Sequence, residues 1–277
     1  MRRRSNVIPV SAVIVTKNEE QRIVRSLAAL EGFGEVIIVD SSSTDRTCEI
    51  AAQAGARAEN FIWNGKYPKK RQWCLDHLTL KYDWVFFIDA DEVITPELRR
   101  EMADLFSRGA PDCAGYFVQG AYHWRGRLLR HGLRNNKLCL IDRRKIEFPV
   151  IDDLDMPGMG EMEGHYQPVL KSAYKNERIG RLKNPLVHYA CEDREGWARR
   201  HERYADWEVA MNKKRAWPRD VSAGRSLAKR IFRVLPFRPF VAFAHSYFLK
   251  GGILDGTAGF DFALSRLIYY RMIRARS

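Results

Sequence analysis

The sequence predicts an α/β protein built on a mostly parallel sheet flanked by helices, and three observations carry that expectation. Short apolar runs recur through the first hundred residues, at 10–15, 35–40 and 84–89. A stretch of helical spacing follows each of them, the order expected of strands joined by crossover helices. Polar, largely acidic motifs stand directly after the runs, where such sheets hold their ligands, beyond the carboxyl ends of the strands.

Residues 10–15 form the first buried strand, and Ile23, Leu27 and Leu30, spaced by four and three, predict the helix after it. Residues 35–40 are a second buried strand. Residues 44–54 read as a second helix, with Ser43 or Thr44 as its N-cap. Residues 84–89 are the most hydrophobic strand, and Thr95-Pro96 opens a helix as N-cap and first-turn proline, with Leu98, Met102 and Leu105 on its apolar face. Beyond residue 110 the alternation loosens. Gly115-Tyr116-Phe117-Val118 and Leu138-Cys139-Leu140-Ile141 look like strands around a basic loop at 123–131. A Pro-, Gly- and Met-rich acidic segment at 149–168 has no periodicity, and loops of that length are often functional. Residues 194–217 are predicted helical, and broken apolar helices follow, punctuated by Pro236, Pro239 and Gly251-Gly252. The expected division is a site-bearing domain at 1–193 and a basic, amphipathic helical region at 194–277, with no internal repeat.

Hydrophobic residues make up 45% and charged residues 29% of the 277-residue chain, the balance of a folded globular protein. No apolar stretch reaches about 18 residues, which argues against an integral channel or transporter. Arg2-Arg3-Arg4 ahead of residues 7–15 imitates a signal peptide. Thr16-Lys17-Asn18-Glu19-Glu20 follows without a small-residue cleavage site, so the run is read as a strand. The five cysteines (Cys48, Cys74, Cys113, Cys139 and Cys191) include no C-x-x-C pair, so neither a disulfide framework nor a zinc knuckle is expected, and a reducing cytosol fits. The net charge of +13 is uneven: residues 194–277 hold 18 Lys and Arg against 7 Asp and Glu, whereas residues 1–193 hold 29 against 27. A basic, aromatic-rich end suits an anionic partner surface, either phospholipid headgroups or nucleic acid. A solvated helical face is the plain alternative.

Three motifs stand at predicted strand ends: Thr16-Lys17-Asn18-Glu19, Asp40-Ser41-Ser42-Ser43-Thr44-Asp45 and Asp89-Ala90-Asp91-Glu92. Two carboxylates one residue apart on extended backbone point to the same side, so Asp89 and Asp91 could face one hard cation, Mg²⁺ or Mn²⁺, completed by substrate phosphates and water. The Asp40 carboxylate suits a pyrimidine N–H or a ribose hydroxyl. Ser42 and its neighbours add donors near a helix N-terminus, a place suited to anions. Singly, each motif has an ordinary explanation as a surface turn, a helix cap or a strand-end cap. Their common placement after successive strands sets them apart.

On these residues the chain resembles the inverting family 2 glycosyltransferases of the GT-A, Rossmann-like fold. The resemblance rests on Val13-Ile14-Val15-Thr16-Lys17-Asn18-Glu19-Glu20, on Val36-Ile37-Ile38-Val39-Asp40-Ser41-Ser42-Ser43-Thr44-Asp45 and on Phe86-Phe87-Ile88-Asp89-Ala90-Asp91-Glu92. The Lys69-Lys70-Arg71-Gln72-Trp73 segment resembles the family's basic stretch before the metal motif. Gly251-Gly252-Ile253-Leu254-Asp255-Gly256-Thr257-Ala258-Gly259, after Tyr247-Phe248, is similar to the tail of the lipopolysaccharide-core β-glucosyltransferase branch. The resemblance implies that Thr16, Asn18, Glu19, Asp40 and Ser42 border the nucleoside, with Glu19 and Asp40 in contact with it. It also implies that Asp89 lies near the ribose or diphosphate and that Asp91, with Asp89, belongs to the metal site. Lys70 or Arg71 would stabilise the leaving diphosphate, although Arg71 could equally be a structural cation.

An inverting transfer needs a carboxylate to take the acceptor hydroxyl's proton. The acidic segment offers Asp152, Asp153, Asp155, Glu161 and Glu163; Glu163 is the first choice and Glu161 the second. The branch's Val-His-Glu-like segment is replaced here by Glu163-Gly164-His165. Either His165 or His188 could bind the metal or orient the base, or be structural. In the tail, Arg225, Lys229, Arg230 and Arg233 alternate with Leu227, Ile231, Phe232 and Leu235, a pattern that fits an interfacial helix on an anionic membrane. The expectation is therefore a metal-dependent enzyme, peripheral on the cytoplasmic face of the plasma membrane. It would move a sugar from a nucleotide donor, UDP-linked by preference, to a lipid-linked or lipopolysaccharide-core-type acceptor. A nucleic-acid binder is disfavoured because no recognition motif is present. A nucleotidyltransferase would carry a Gly-rich basic loop after the first strand. A catalytically inactive membrane scaffold would have no use for Asp91.

Overall fold

The computed structural model describes residues 7–156, 159–163, 166–218 and 223–277; Arg2-Arg3-Arg4 and His165 lie outside them. The chain begins with β1 (Ile8–Thr16), α1 (Ile23–Ala29), β2 (Phe33–Asp40), α2 (Thr47–Gln53), β3 (Arg57–Asn60), α3 (Lys70–His77), β4 (Trp84–Asp89), β5 (Glu92–Ile94) and α4 (Pro96–Ser107). It continues with β6 (Gly115–Trp124), β7 (Arg127–Leu128), β8 (Asn135–Asp142), β9 (Ile146–Glu147), β10 (Val169–Leu170), β11 (Ile179–Arg181) and β12 (Leu186–Cys191). Four helices close it: α5 (Arg194–Lys214), α6 (Ala223–Val234), α7 (Arg238–Ala244) and α8 (Gly256–Arg276).

The main sheet runs β3-β2-β1-β4-β8-β6-β12-β5, with β7 and β11 paired to β6. Its first four strands are parallel, as expected, but β8 joins β4 antiparallel and β12 joins β5 antiparallel, so the sheet is mixed. β1 and β4 are buried on both faces, which is why they read as unbroken apolar runs rather than as alternations. Thr95 caps α4 by accepting the Leu98 N–H, and Leu98 and Met102 are fully buried. At α2 the expected cap is displaced: the helix starts at Thr47 with no capping bond from Arg46. Ser43 is bound to Asp40 and Thr44 to Asn18, and the Thr47 N–H is taken instead by the Asp45 carboxylate.

Two compact units emerge. The first holds residues 1–120, 136–148 and 168–188, and the second holds residues 121–135, 149–167 and 189–277. The first unit carries the parallel strands and their core. The second is helical, packed around Trp124, Trp197, Phe262, Tyr269 and Ile273. Its long helix α5 is capped by Asp193, and the Trp207 indole, fully buried on that helix, donates to Asp153 at 3.2 Å. The glycine-rich tail motif has a steric basis. A Cβ on Gly259 would lie 1.8 Å from the Gly252 carbonyl oxygen, and Asp255 accepts the backbone N–H groups of Arg130 and His131, each at 2.9 Å.

Candidate active site

Strand register assembles the site within the first unit. Thr16 pairs with Asp40 across β1 and β2, and Val15 pairs with Asp89 across β1 and β4. The three sequence motifs thus meet at the carboxyl ends of adjacent parallel strands. The Asp40 carboxylate, nearly fully buried, accepts from the Thr16 hydroxyl at 2.8 Å and from the Ser43 N–H and hydroxyl at 2.6 Å each. Asn18 and Ser42 both have positive φ, 56° and 55°, conformations that asparagine tolerates and that cost a serine energy unless its surroundings impose them. Asn18 donates its N–H to the Ser43 hydroxyl and accepts the Thr44 N–H, while the Ser42 hydroxyl donates to Asn60. Glu19 accepts from Arg22 at 2.9 Å. Its N–H bonds to the Thr47 hydroxyl. These loops are cross-linked to one another by hydrogen bonds.

Lys70 and Arg71 open α3 but face different surroundings. The Lys70 ammonium is buried, donating to the Thr16 carbonyl at 3.1 Å and lying over the Phe61 ring. Arg71 reaches Asp89 at 2.6 Å. Asp89 also accepts from Lys137 of β8 at 2.6 Å, and Lys137 bonds to the fully buried Glu92 at 2.7 Å. Glu92 additionally accepts the Asp89 N–H at 3.0 Å. Asp91 pairs separately with His188 of β12 at 3.4 Å. The shared orientation expected of Asp89 and Asp91 presupposed extended backbone. β4 ends at Asp89, and Ala90 and Asp91 form a turn, so the two carboxylates have different partners.

Burial opposes the charge on Asp89, but Lys137 and Arg71 outweigh it and hold the carboxyl well below the usual range. Asp91 is likewise lowered, burial being overcome by His188, and His188 is raised in return by Asp91 against its own desolvation. Burial raises the Glu92 carboxyl despite Lys137. Burial also pushes the Cys139 thiol up to about 12, so it is no thiolate nucleophile.

Among the described residues, no three His, Cys, Asp or Glu side chains form a ready-made metal cage. Asp91 and His188 offer one oxygen and one nitrogen donor. The carboxylate suits Mg²⁺ or Mn²⁺ and the imidazole nitrogen suits the softer Mn²⁺ better than Mg²⁺, with substrate phosphates and water to fill the other positions. Asp89 is the more exposed of the two carboxylates, 32% against 23%, but it is already engaged by two cations. Glu163 is almost fully buried and Glu161 half-buried. Both belong to the second unit, in the segment that the sequence marks as acidic and aperiodic. The sequence reading missed Lys137. Continuing the antiparallel register of β4 and β8 (Phe86 with Leu140) by three residues sets Lys137 opposite Asp89, but that pairing is not visible in a linear pattern.

The chain is 39% identical over 99 residues to an uncharacterized glycosyltransferase of Rickettsia bellii (strain RML369-C), covering 35% of this chain and 33% of that protein. It is 34% identical over 105 residues to the lipopolysaccharide core biosynthesis glycosyltransferase LpsC of Rhizobium meliloti (strain 1021), covering 36% and 38% respectively. The chain thus matches only about a third of the length of these curated relatives. Among solved structures, the mannosyltransferase PcManGT from Pyrobaculum calidifontis, in complex with GDP-Man and Mn²⁺, superposes with a TM-score of 0.53 at 15% identity, covering 97% of this chain and 86% of that one. At that identity the likeness shows the fold alone, a GT-A-like mixed sheet flanked by helices. The family model of glycosyl transferase family 2 matches residues 11–178, well over half of the sequence, and the chain belongs to that family.

Proposed function

We propose that this glycosyltransferase moves one sugar, with inversion, from a nucleotide-sugar donor to a lipid-linked or lipopolysaccharide-core-type acceptor, with Mg²⁺ or Mn²⁺ held by Asp91 and His188. The observation that carries this reading is the gathering of Asp40, Arg71, Asp89 and Asp91 at the carboxyl ends of β1, β2 and β4 in a family 2 chain. A UDP-linked donor is the first choice. The Thr16–Asp40–Ser43 and Asn18–Thr44 bonds hold the nucleoside side of the site, and Glu19 borders it. Arg71 and the buried Lys70 place positive charge beside the departing diphosphate. The divalent cation, when bound, supplies further neutralisation of that leaving group. Glu163, or failing it Glu161, takes the proton of the acceptor hydroxyl. The similarity to LpsC supports the choice of acceptor class.

The second unit supports a membrane-side location for the reaction. No helix of the described residues is long and apolar enough to cross a membrane. Even so, Leu227, Ile231 and Val234 on α6, and Phe248 and Leu249 after α7, are exposed beside the tail's basic residues. Such a surface fits peripheral attachment to an anionic leaflet on the cytoplasmic side. Two measurements test the reading. Nucleoside diphosphate release from UDP- and GDP-sugars, with core-type glycolipid as acceptor, should require both acceptor and Mn²⁺; no release from any donor would remove the transferase assignment to these substrates. Flotation with vesicles containing anionic lipid should carry the protein upward, and an Ile231→Asp/Phe248→Asp variant that floats equally well would remove the membrane assignment.

A further inference from the structure

We propose that Lys137 is a diphosphate-recognising cation of the donor site, held in position by the buried Glu92 and tied to Arg71 through the shared counter-ion Asp89. This rests on the donor-site reading above and extends it to two residues outside the three sequence motifs' assigned roles. Lys137 donates two hydrogen bonds, to Asp89 at 2.6 Å and to Glu92 at 2.7 Å. An ammonium has three N–H donors, so one remains for a ligand oxygen. The Lys137 side chain keeps 17% of its surface exposed, whereas that of Glu92 has none. Part of the Lys137 side chain thus faces solvent, and no part of its anchor does.

Glu92 is costly where it stands. One carboxylate oxygen accepts both the Asp89 N–H and the Lys137 ammonium, while the other, Oε1, is buried without a hydrogen-bond partner among the described residues. An orphaned buried acceptor normally destabilises a fold. A cost of that kind is typical of sites where side chains are positioned in advance for a ligand. Here the ligand class follows from charge. Arg71 and Lys137 are both tied to Asp89, each at 2.6 Å, to opposite carboxylate oxygens. Asp89 thus gathers two cations beyond the end of β4, and positive charge concentrated there suits a phosphate-bearing ligand. On this reading Asp89 organises cations, and Asp91 with His188 is left for the metal.

The test is the ratio of UDP to uridine affinity, with GDP and guanosine in parallel, titrated by NMR with Mn²⁺ and again with EDTA. Lys137→Met should weaken the diphosphate about tenfold or more, as expected for loss of a charged hydrogen bond, and leave the nucleoside within about twofold. Lys137→Arg should restore most of the loss. Glu92→Gln should weaken the diphosphate selectively as well, which a merely structural glutamate would not do. In the wild type, the Lys137 ammonium ¹⁵N resonance, assigned from its absence in Lys137→Arg, should move on addition of UDP or GDP. That measurement holds even if the methionine variant does not fold. Equal loss of nucleoside and diphosphate, unchanged diphosphate binding in Lys137→Met, or an unmoved ammonium resonance in a wild type that binds diphosphate would each overturn the proposal. A wild type that binds neither diphosphate would overturn the donor-site reading itself.

Discussion

Two ion-paired clusters, one at the end of β4 in the first unit and one joining α5 to α7 in the second, differ in what surrounds them. Asp89 shares Arg71 and Lys137 at a partly exposed strand terminus. Glu208 of α5, by contrast, accepts from Arg238 and from the Tyr269 hydroxyl, and the Arg238 guanidinium lies over the rings of Tyr270 and Phe232. The residue types are alike and their consequences differ. A cation with a spare donor at an open strand end can receive a ligand. A salt bridge closed in by aromatic rings fastens α5, α7 and α8 together and specifies their arrangement.

The acidic segment of the second unit is where this contrast can be broken, and the largest effect is expected there. Glu163→Gln should lower turnover by ~10²–10⁴ with fold and diphosphate affinity retained. Full turnover in Glu163→Gln with loss in Glu161→Gln would transfer the role, and full turnover in both would leave the second unit without a base. Arg238→Met should cost ~3–5 kcal/mol in urea denaturation, because Glu208 stays buried with one partner fewer. If Arg71→Met destabilises the protein as much, the contrast between receptive and fastening ion pairs fails.

The smallest expected effect is a pH drift. Asp91 raises the pKa of His188, so the pair's stabilisation is complete below the ordinary imidazole value of about 6.5 and is lost as pH rises through the elevated one. At the acid end the same pair weakens as pH falls through the lowered Asp91 value. With EDTA present, thermal melting of the wild type should fall between neutral and alkaline pH more than that of His188→Asn. Parallel curves would show that the pair contributes nothing to folding.

Much of the first unit was legible because its information is local. Strands buried on both faces read as apolar runs, Thr95-Pro96 reads as a helix start, and Asp40 and Asp89 close their strands within the motif itself. What escaped depends on register or on turns. Lys137 reaches Asp89 only through the antiparallel return of β8, and the Asp89/Asp91 pair is separated by a turn that the period-two argument did not anticipate. The capping role expected of Ser43 and Thr44 failed because Ser43 is held by Asp40, three residues back, and Thr44 by the distant Asn18, while Asp45 takes the Thr47 N–H. In the second unit, the basic and aromatic pattern indicated helices but not which charges they enclose, since Glu208 and Arg238 are 30 residues apart in sequence.

Calorimetric titration of UDP, GDP, CDP and dTDP, with and without Mn²⁺, probes the metal-dependent donor site at the ends of β1, β2 and β4. One diphosphate should bind wild type in a Mn²⁺-dependent manner, and Asp91→Asn should lose that dependence while melting as a folded protein. Equal binding by Asp91→Asn, or no binding of any diphosphate by folded wild type, would contradict such a site.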